Sequence, residues 1–253
     1  MDRDELSASD ALSARELADE GEVDAARQST SASTVIVFDV NETLSDMSPL
    51  KARFVDIGAP DYLARLWFAA LLRDGFALAA AGGSGKFAEI GESVLRSVLR
   101  DVAITRSTED AVRHVMTGFT ELILHPDIPQ GIQALKSAGF RITTLSNGSA
   151  EVARTLLARS EISTDFEALL TVEDARAWKP ARAAYEYAAD ACGVSPTDML
   201  LVAVHPWDIH GANRAGLRTA WLNRTGEAYP SYFSAPDYTI NTLIGLAAQL
   251  TRV

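Results

Sequence analysis

From Thr34 onward, the apolar positions follow two rhythms. Short continuous apolar runs, rich in β-branched residues, alternate with stretches where apolar residues recur every three to four positions. The first pattern suits strands buried on both faces of a parallel sheet, and the second suits amphipathic helices. Val35-Ile36-Val37-Phe38, residues 199–204 and residues 217–223 read as strands. Residues 140–149 read as a strand running into a turn, and 166–174 as a short strand with a loop. Between them lie helical patterns at 128–139, which stops at a glycine, 150–160, 180–193 and 208–216, with a last helix over 242–253. Pro180 stands at the start of its helix, a favoured place for proline. Strand and helix in alternation predict βαβ units, a parallel sheet and right-handed crossovers, hence an α/β core.

Two stretches break the alternation. Residues 50–124 carry helical spacing throughout, over 61–82, 86–102 and 108–123, with no strand signal between them. Thr108, followed by Glu109 and Asp110, marks a helix start. Such a block after the first strand predicts a helical cap (50–124) inserted into a core made of 34–49 and 125–253. Residues 1–33 differ again. They are rich in Ser, Ala, Asp and Glu, lack aromatics, and carry nine acids against Arg3, Arg15 and Arg27. This composition predicts a disordered acidic tail, with at most a frayed helix over 11–26. It holds no apolar run of the kind a secretory signal needs.

Composition narrows the class of protein. The chain has 253 residues, 47% of them hydrophobic, and no run approaches the 18 apolar residues of a membrane span. The net charge of −11 argues against nucleic acid as a partner. Cys192 is the only cysteine, which excludes an intrachain disulfide and fits a reducing, cytoplasmic compartment. It falls in a helical pattern and reads as core filler.

The chemistry-bearing residues stand at predicted strand ends. Asp39 follows the first strand directly, where open α/β sheets place their ligands. Ser146, Asn147 and Gly148 sit between a strand and a helix, where hydroxyl, amide and backbone N–H groups can meet an anion. Lys179, placed beside Asp39, would keep that carboxylate ionised. His205 follows a buried strand at once, with Trp207 and Asp208 just behind it.

Asp39 with Thr43, Ser146 with Asn147, Lys179 and Asp208 come in the order and spacing of the four motifs of the haloacid dehalogenase superfamily, which the chain resembles from Thr34 to its C-terminus. It is most similar to the type II (L-2-haloacid) dehalogenases. That likeness rests on Leu145–Ser149, Lys179-Pro180 with Tyr185 beyond, Trp207-Asp208, and Trp221 through Gly226. The resemblance implies a Rossmann-like parallel-sheet core with a helical cap, a homodimer formed through that cap, and a small 2-haloacid as substrate. It also implies covalent catalysis. Asp39 would displace halide from the substrate Cα, and water would then hydrolyse the aspartyl ester to a D-2-hydroxyacid. Ser146, with backbone N–H groups near Val40 and Asn41, would hold the substrate carboxylate. Asn147 would face the halide, Lys179 would keep Asp39 anionic, and Thr43 and Asp208 would position the network. Trp67, Phe68, Tyr185 and Trp207 would line the substrate site.

Departures from the superfamily pattern refine the expectation. Magnesium phosphatases carry a second Asp where this chain has Asn41, and an acidic metal ligand where it has Val204. Magnesium needs hard oxygen ligands, so the site reads as metal-free and without cofactor. Within the dehalogenases, Asn41-Glu42 replaces Tyr-Gly, His205 replaces Asn, and Phe68 stands where a halide-binding Arg is expected. A carboxylate beside an imidazole makes it a better base, so Glu42 and His205 read as a water-activating pair. Phe68, Trp67 and Phe76 read as an apolar pocket, with Arg73 as a candidate cation. Three other readings stay open: another Cα hydrolysis such as opening a strained-ring amino acid, a phosphatase, and a catalytically dead binding protein.

Overall fold

The computed structural model describes residues 34–251, so the expectations for the 1–33 tail lie outside the described residues. At its centre is a six-stranded, wholly parallel sheet in the order β5 (Ala168–Thr171), β4 (Arg141–Ser146), β1 (Val35–Phe38), β6 (Met199–Ala203), β7 (Arg218–Leu222), β8 (Tyr238–Ile240). Strand β1 (Val35–Phe38) is flanked by β4 (Arg141–Ser146) and β6 (Met199–Ala203), so Phe38 stands level with Thr144 and Val202. All four β1 side chains are fully buried, as the continuous apolar run predicts. Successive side chains point to opposite faces. Ile36 and Phe38 pack with α5 (Ile128–Ser137), α6 (Ala150–Ala158) and α10 (Ile244–Leu250). Val35 and Val37 pack with α8 (Arg182–Cys192) and α9 (Pro206–Ala215) on the other face.

This order creates a topological switch at β1. The chain passes from β1 to β4 and β5 (Ala168–Thr171) on one side, then crosses to β6 and β7 (Arg218–Leu222) on the other. Ligands of open parallel sheets bind beyond the strand carboxyl ends at such a point, and Asp39 begins there.

Helices α1 (Leu50–Asp56), α2 (Leu63–Ala80), α3 (Phe87–Leu99) and α4 (Thr108–Thr120) lie between β1 and β4 in sequence. They bury an apolar cluster of their own, built on Phe54, Trp67, Phe87, Leu95 and Phe119. Trp178, from the loop before α8, enters that cluster and stacks on Phe87 at 6.1 Å. Gly75 on α2 permits this approach: a Cβ there would lie 2.3 Å from the Trp178 ring. In α4 the cap is Ser107, whose hydroxyl accepts from the Asp110 N–H, and Thr108 is the first helical residue.

Several elements differ from the sequence expectation. The helical block ends in a strand, β3 (Ile123–Leu124), which pairs antiparallel with β2 (Ser45–Asp46) where the chain leaves and re-enters the core. Two-residue strands are too short to leave a periodicity. Strand β8 (Tyr238–Ile240) is also new. Asp237 accepts from the backbone N–H (2.7 Å) and hydroxyl (3.0 Å) of Thr219, which ties the segment to β7, a tertiary contact with no local signature. Pro180 lies ahead of its helix rather than in it, since α8 begins at Arg182. A short helix, α7 (Val172–Ala175), follows β5. Helix α9 begins at Pro206, two residues earlier than expected, with proline at its first position.

Candidate active site

The loop after β1 turns back at once, with Leu44 and Ser45 both donating to the Val40 carbonyl. This brings the Thr43 hydroxyl to Asp39 Oδ2 at 2.6 Å. The same hydroxyl oxygen accepts from the Val204 N–H at 3.1 Å, so its proton is left for Asp39. Glu42 sits in the left-handed region at φ 62°, which is costly for a residue with a Cβ. Its carbonyl faces His125 Nε2 at 3.1 Å, and its N–H donates to Ser45 Oγ at 3.2 Å.

Lys179 joins this turn from the loop between α7 and α8. It is fully buried, and its ammonium donates to Asp39 Oδ1 at 2.9 Å and to Asp208 Oδ2 at 2.5 Å. Asp208, in the first turn of α9, also accepts from the Tyr185 hydroxyl at 2.6 Å. Asn147 clamps the Lys179 backbone, accepting from its N–H (2.9 Å) and donating to its carbonyl (3.2 Å). Ser146 Oγ accepts from Gly148 N–H at 2.9 Å. A Cβ at Gly148 would lie 3.2 Å from Ser146 Oγ and 3.5 Å from Asn41 Nδ2, so this glycine lets the two side chains converge.

His205 closes the site. Its Nδ1 lies 3.2 Å from Asp39 Oδ2 and its Nε2 2.8 Å from Glu42 Oε2. The Trp207 ring stacks on the imidazole at 5.0 Å, and Phe68 lies 6.3 Å away on the α2 side. Phe76 packs edge-on against Trp207 at 4.8 Å. Glu42, Phe68, His125, Val204, His205 and Arg224 line a cleft of about 540 Å³ that leads to solvent.

Burial sets a first charge preference, and the neighbours reverse it at Asp39, Lys179 and His205 but not at Asp208. Burial would raise the Asp39 carboxyl, but the Lys179 charge and the hydrogen bonds from His205 and Thr43 hold it well below the usual carboxylate range. Burial would lower Lys179, but Asp208 and Asp39 push it up. The Asp208 carboxyl is raised, by burial first and by the Asp39 charge, with Lys179 and Tyr185 opposing. Burial would lower His205 too, yet its hydrogen bonds to Asp39 and Glu42 push it up to about 9. The arrangement therefore offers a buried carboxylate held anionic, a cation fixed behind it, and an imidazole beside it.

The structure brings together Asp39, Glu42, Thr43, Lys179, His205 and Asp208, all six residues expected to be catalytic. Asn41 and Ser146 lie buried beside one another, and Phe68 and Trp207 flank His205. Three residues expected to touch substrate have hydrogen-bond partners within the protein. Trp67 is fully buried among Phe54, Phe68 and Phe119 and donates to the Gly91 carbonyl, because its helix face points into the helical cluster. Tyr185 is fully buried beneath Asp208 and serves to hold it. The Asn147 side-chain amide holds the Lys179 backbone by both its oxygen and its nitrogen. Arg73 pairs with Asp74 on the outer surface of α2, away from the cleft. Two residues of the site had drawn no role from sequence. His125 supports Glu42 from just after β3, and Arg224 donates to the Thr43 carbonyl (3.1 Å) while pairing with Asp127 (2.8 Å). Among the described residues, no three His, Cys, Asp or Glu side chains converge to hold a metal ion, and no helix is long and apolar enough to cross a membrane.

Residues 34–216 match the model of the haloacid dehalogenase-like hydrolase family. The chain belongs to that family. Among its relatives, a (S)-2-haloacid dehalogenase 4A of Burkholderia cepacia is 29% identical, over 85% of this chain and 94% of that protein. Haloacetate dehalogenase H-2 of a Moraxella species is 37% identical, but over only 46% of this chain and 51% of that protein. Among solved structures, a dehalogenase at 28% identity superposes with a TM-score of 0.80, covering 86% of this chain and 97% of the other. An L-2-haloacid dehalogenase at 25% identity reaches 0.81, over 87% and 99%. For this family member, the fold and the placement of Asp39 at the sheet switch point agree with the resemblance read from the motifs.

Proposed function

We propose that this hydrolase dehalogenates short 2-haloalkanoic acids, converting an L-2-haloacid to a D-2-hydroxyacid and halide without a metal ion. The observation that carries the reading is the Asp39 carboxylate: buried, held anionic by Lys179 and Thr43, and flanked by His205. An Asp39 oxygen attacks the substrate Cα from the face opposite the halogen. The carbon–halogen bond breaks, halide leaves with its electron pair, and an ester of Asp39 remains. Water then attacks the ester carbonyl carbon and gives a proton to His205. The bond between that carbon and the substrate oxygen breaks, the leaving oxygen takes the second proton of the water, and the hydroxyacid departs from a restored Asp39 carboxylate. Attack at Cα happens once, so its configuration inverts.

The relatives named as (S)-2-haloacid and haloacetate dehalogenases support this substrate class. Asn41 and Ser146 both border Gly148 and would receive the substrate carboxylate. The α1–α4 block acts as the cap, and Phe68 presents an apolar face to the site from it. Glu42 orients His205 as the base, a role that typically contributes about 10²–10⁴-fold. Val204 offers no oxygen ligand on its side chain, which supports metal independence.

The test is halide release from L- and D-2-chloropropionate and from fluoroacetate, with EDTA present, alongside Asp39→Asn. Release that survives EDTA and vanishes in the variant is expected. Release from no substrate by the folded protein would overturn dehalogenation and favour a different Cα substrate or a binding role. Loss of release in EDTA, restored by magnesium, would overturn the metal-free reading.

A further inference from the structure

His205 stands between two carboxylates, and each ring nitrogen faces one: Nδ1 faces Asp39 Oδ2 and Nε2 faces Glu42 Oε2. An ionised carboxylate only accepts hydrogen bonds, and a neutral imidazole has one N–H to give. Both contacts are satisfied together only when both nitrogens carry a proton. A protonated imidazole, however, cannot take a proton from water. The resting geometry is therefore that of a base already loaded.

We propose that His205 rests as an imidazolium clamped between Asp39 and Glu42, and that ester formation on Asp39 is the event that unloads it into a working base. This rests on the covalent reading above. Esterification turns the Asp39 carboxylate into a neutral group, so His205 loses one of the two charges that hold its proton. The proton passes to Glu42, whose side chain is 41% exposed at the cleft, and on to solvent. Neutral His205 then accepts a proton from the attacking water, and hydrolysis returns both the Asp39 charge and the imidazolium. Each turnover consumes one haloacid anion and one water and releases one hydroxyacid anion, one halide and one proton. The proton leaves at the ester stage rather than with the product.

The surroundings support this timing. The upward shift of His205 comes from hydrogen bonds and charge supplied by Asp39 and Glu42 against a burial penalty, so removing either partner lets burial act. The other charges near the imidazole are fixed by partners of their own. Lys179 lies behind Asp39 and is shared with Asp208 on α9, and His125 touches the Glu42 carbonyl. From α2 and α9 the imidazole meets the Phe68 and Trp207 rings, which stay uncharged throughout the cycle. A site of this kind also protects itself: the base is disarmed until there is an ester to hydrolyse.

The experiment is a nuclear magnetic resonance titration of ¹⁵N-histidine-labelled full-length protein, in wild type, Asp39→Asn and Glu42→Gln. Asp39→Asn mimics the ester because it keeps the shape and removes the charge. Wild-type His205 should show both ring nitrogens protonated at pH 7. Its pKa should fall by roughly 1–3 units in Asp39→Asn, the usual effect of losing an adjacent opposite charge. Glu42→Gln, altered at the cleft edge, should lower it as well. A singly protonated ring at pH 7 in wild type, or a pKa unmoved by Asp39→Asn, would overturn the proposal. Neither result depends on turnover, so a failure of the dehalogenase reading would be seen separately, as absent halide release.

Discussion

At the scale of single residues, the site is a set of charges that are stable only together. Asp39, Lys179 and Asp208 are almost wholly removed from water, and removing one member of such a group leaves an uncompensated buried charge. The six catalytic candidates were legible from sequence because Asp39 and His205 directly follow buried strands, and Thr43, Lys179 and Asp208 match the spacing of the family motifs, with Glu42 standing beside them as a departure from that pattern. The roles of Trp67, Tyr185 and Asn147 were not, because a tryptophan, tyrosine or asparagine serves equally well as a wall, a strut or a contact. Their partners, the Gly91 carbonyl, Asp208 and the Lys179 backbone, lie between 23 and 32 residues away. A pH test belongs to this scale. His205 has a folded-state pKa of about 9 against an ordinary 6.5. A group raised on folding stabilises fully below its unfolded value and loses that contribution as pH climbs through the folded one. Urea unfolding should therefore show stability falling between pH 7 and pH 9, by at most ~3 kcal/mol. His205→Asn should flatten that slope, and an unchanged slope would show that the imidazole carries no such linkage.

At the scale of elements, close approach sets how the site is aimed. Helix α9 carries Asp208, and it lies against the loop that carries Lys179 through Gly211. A Cβ at that position would come within 2.6 Å of both the Pro180 side chain and the Tyr185 hydroxyl. Gly211→Ala should therefore push on the supports of Lys179 and Asp208 at once. Overpacking of this kind costs about 1–3 kcal/mol. The expected outcome is a lowered unfolding midpoint and at least a roughly tenfold loss of halide release, since about 1.4 kcal/mol at the transition state is tenfold in rate. Full activity in Gly211→Ala would mean that α9 can shift without disturbing the ion pair. The long helices and buried strands were readable because their periodicity repeats. Strands β2, β3 and β8 span two or three residues each, and pairing partners distant in sequence create them.

At the scale of the whole molecule, the helical block and the sheet are joined close to the chemistry. Trp178 immediately precedes Lys179, stacks on Phe87 of α3, and donates to the Gly85 carbonyl at 2.9 Å. The residue that fixes the Lys179 loop is thus also part of the helical core. Trp178→Ala should cost about 3–5 kcal/mol in urea unfolding. It should also reduce halide release beyond what the stability loss explains at temperatures where the variant is fully folded. A variant equally destabilised but fully active would place the join elsewhere.

What the sequence determined by itself is the alternation of buried strands and amphipathic helices, the inserted helical block, and the chemistry available at each strand end. These are local properties, written in the spacing of apolar residues and in the residue that follows each run. Only the tertiary structure decided which groups meet: that β1 lies between β4 and β6, that Lys179 serves two carboxylates, and that His205 takes a carboxylate on each nitrogen. The physical reason is that hydrogen bonds and charge pairs act over about 3 Å, while the residues making them in the site are up to 181 positions apart. Burial supplies the rest. Burial alone would raise Asp39 and lower His205, and it is the partners enclosed with them that hold Asp39 low and push His205 up.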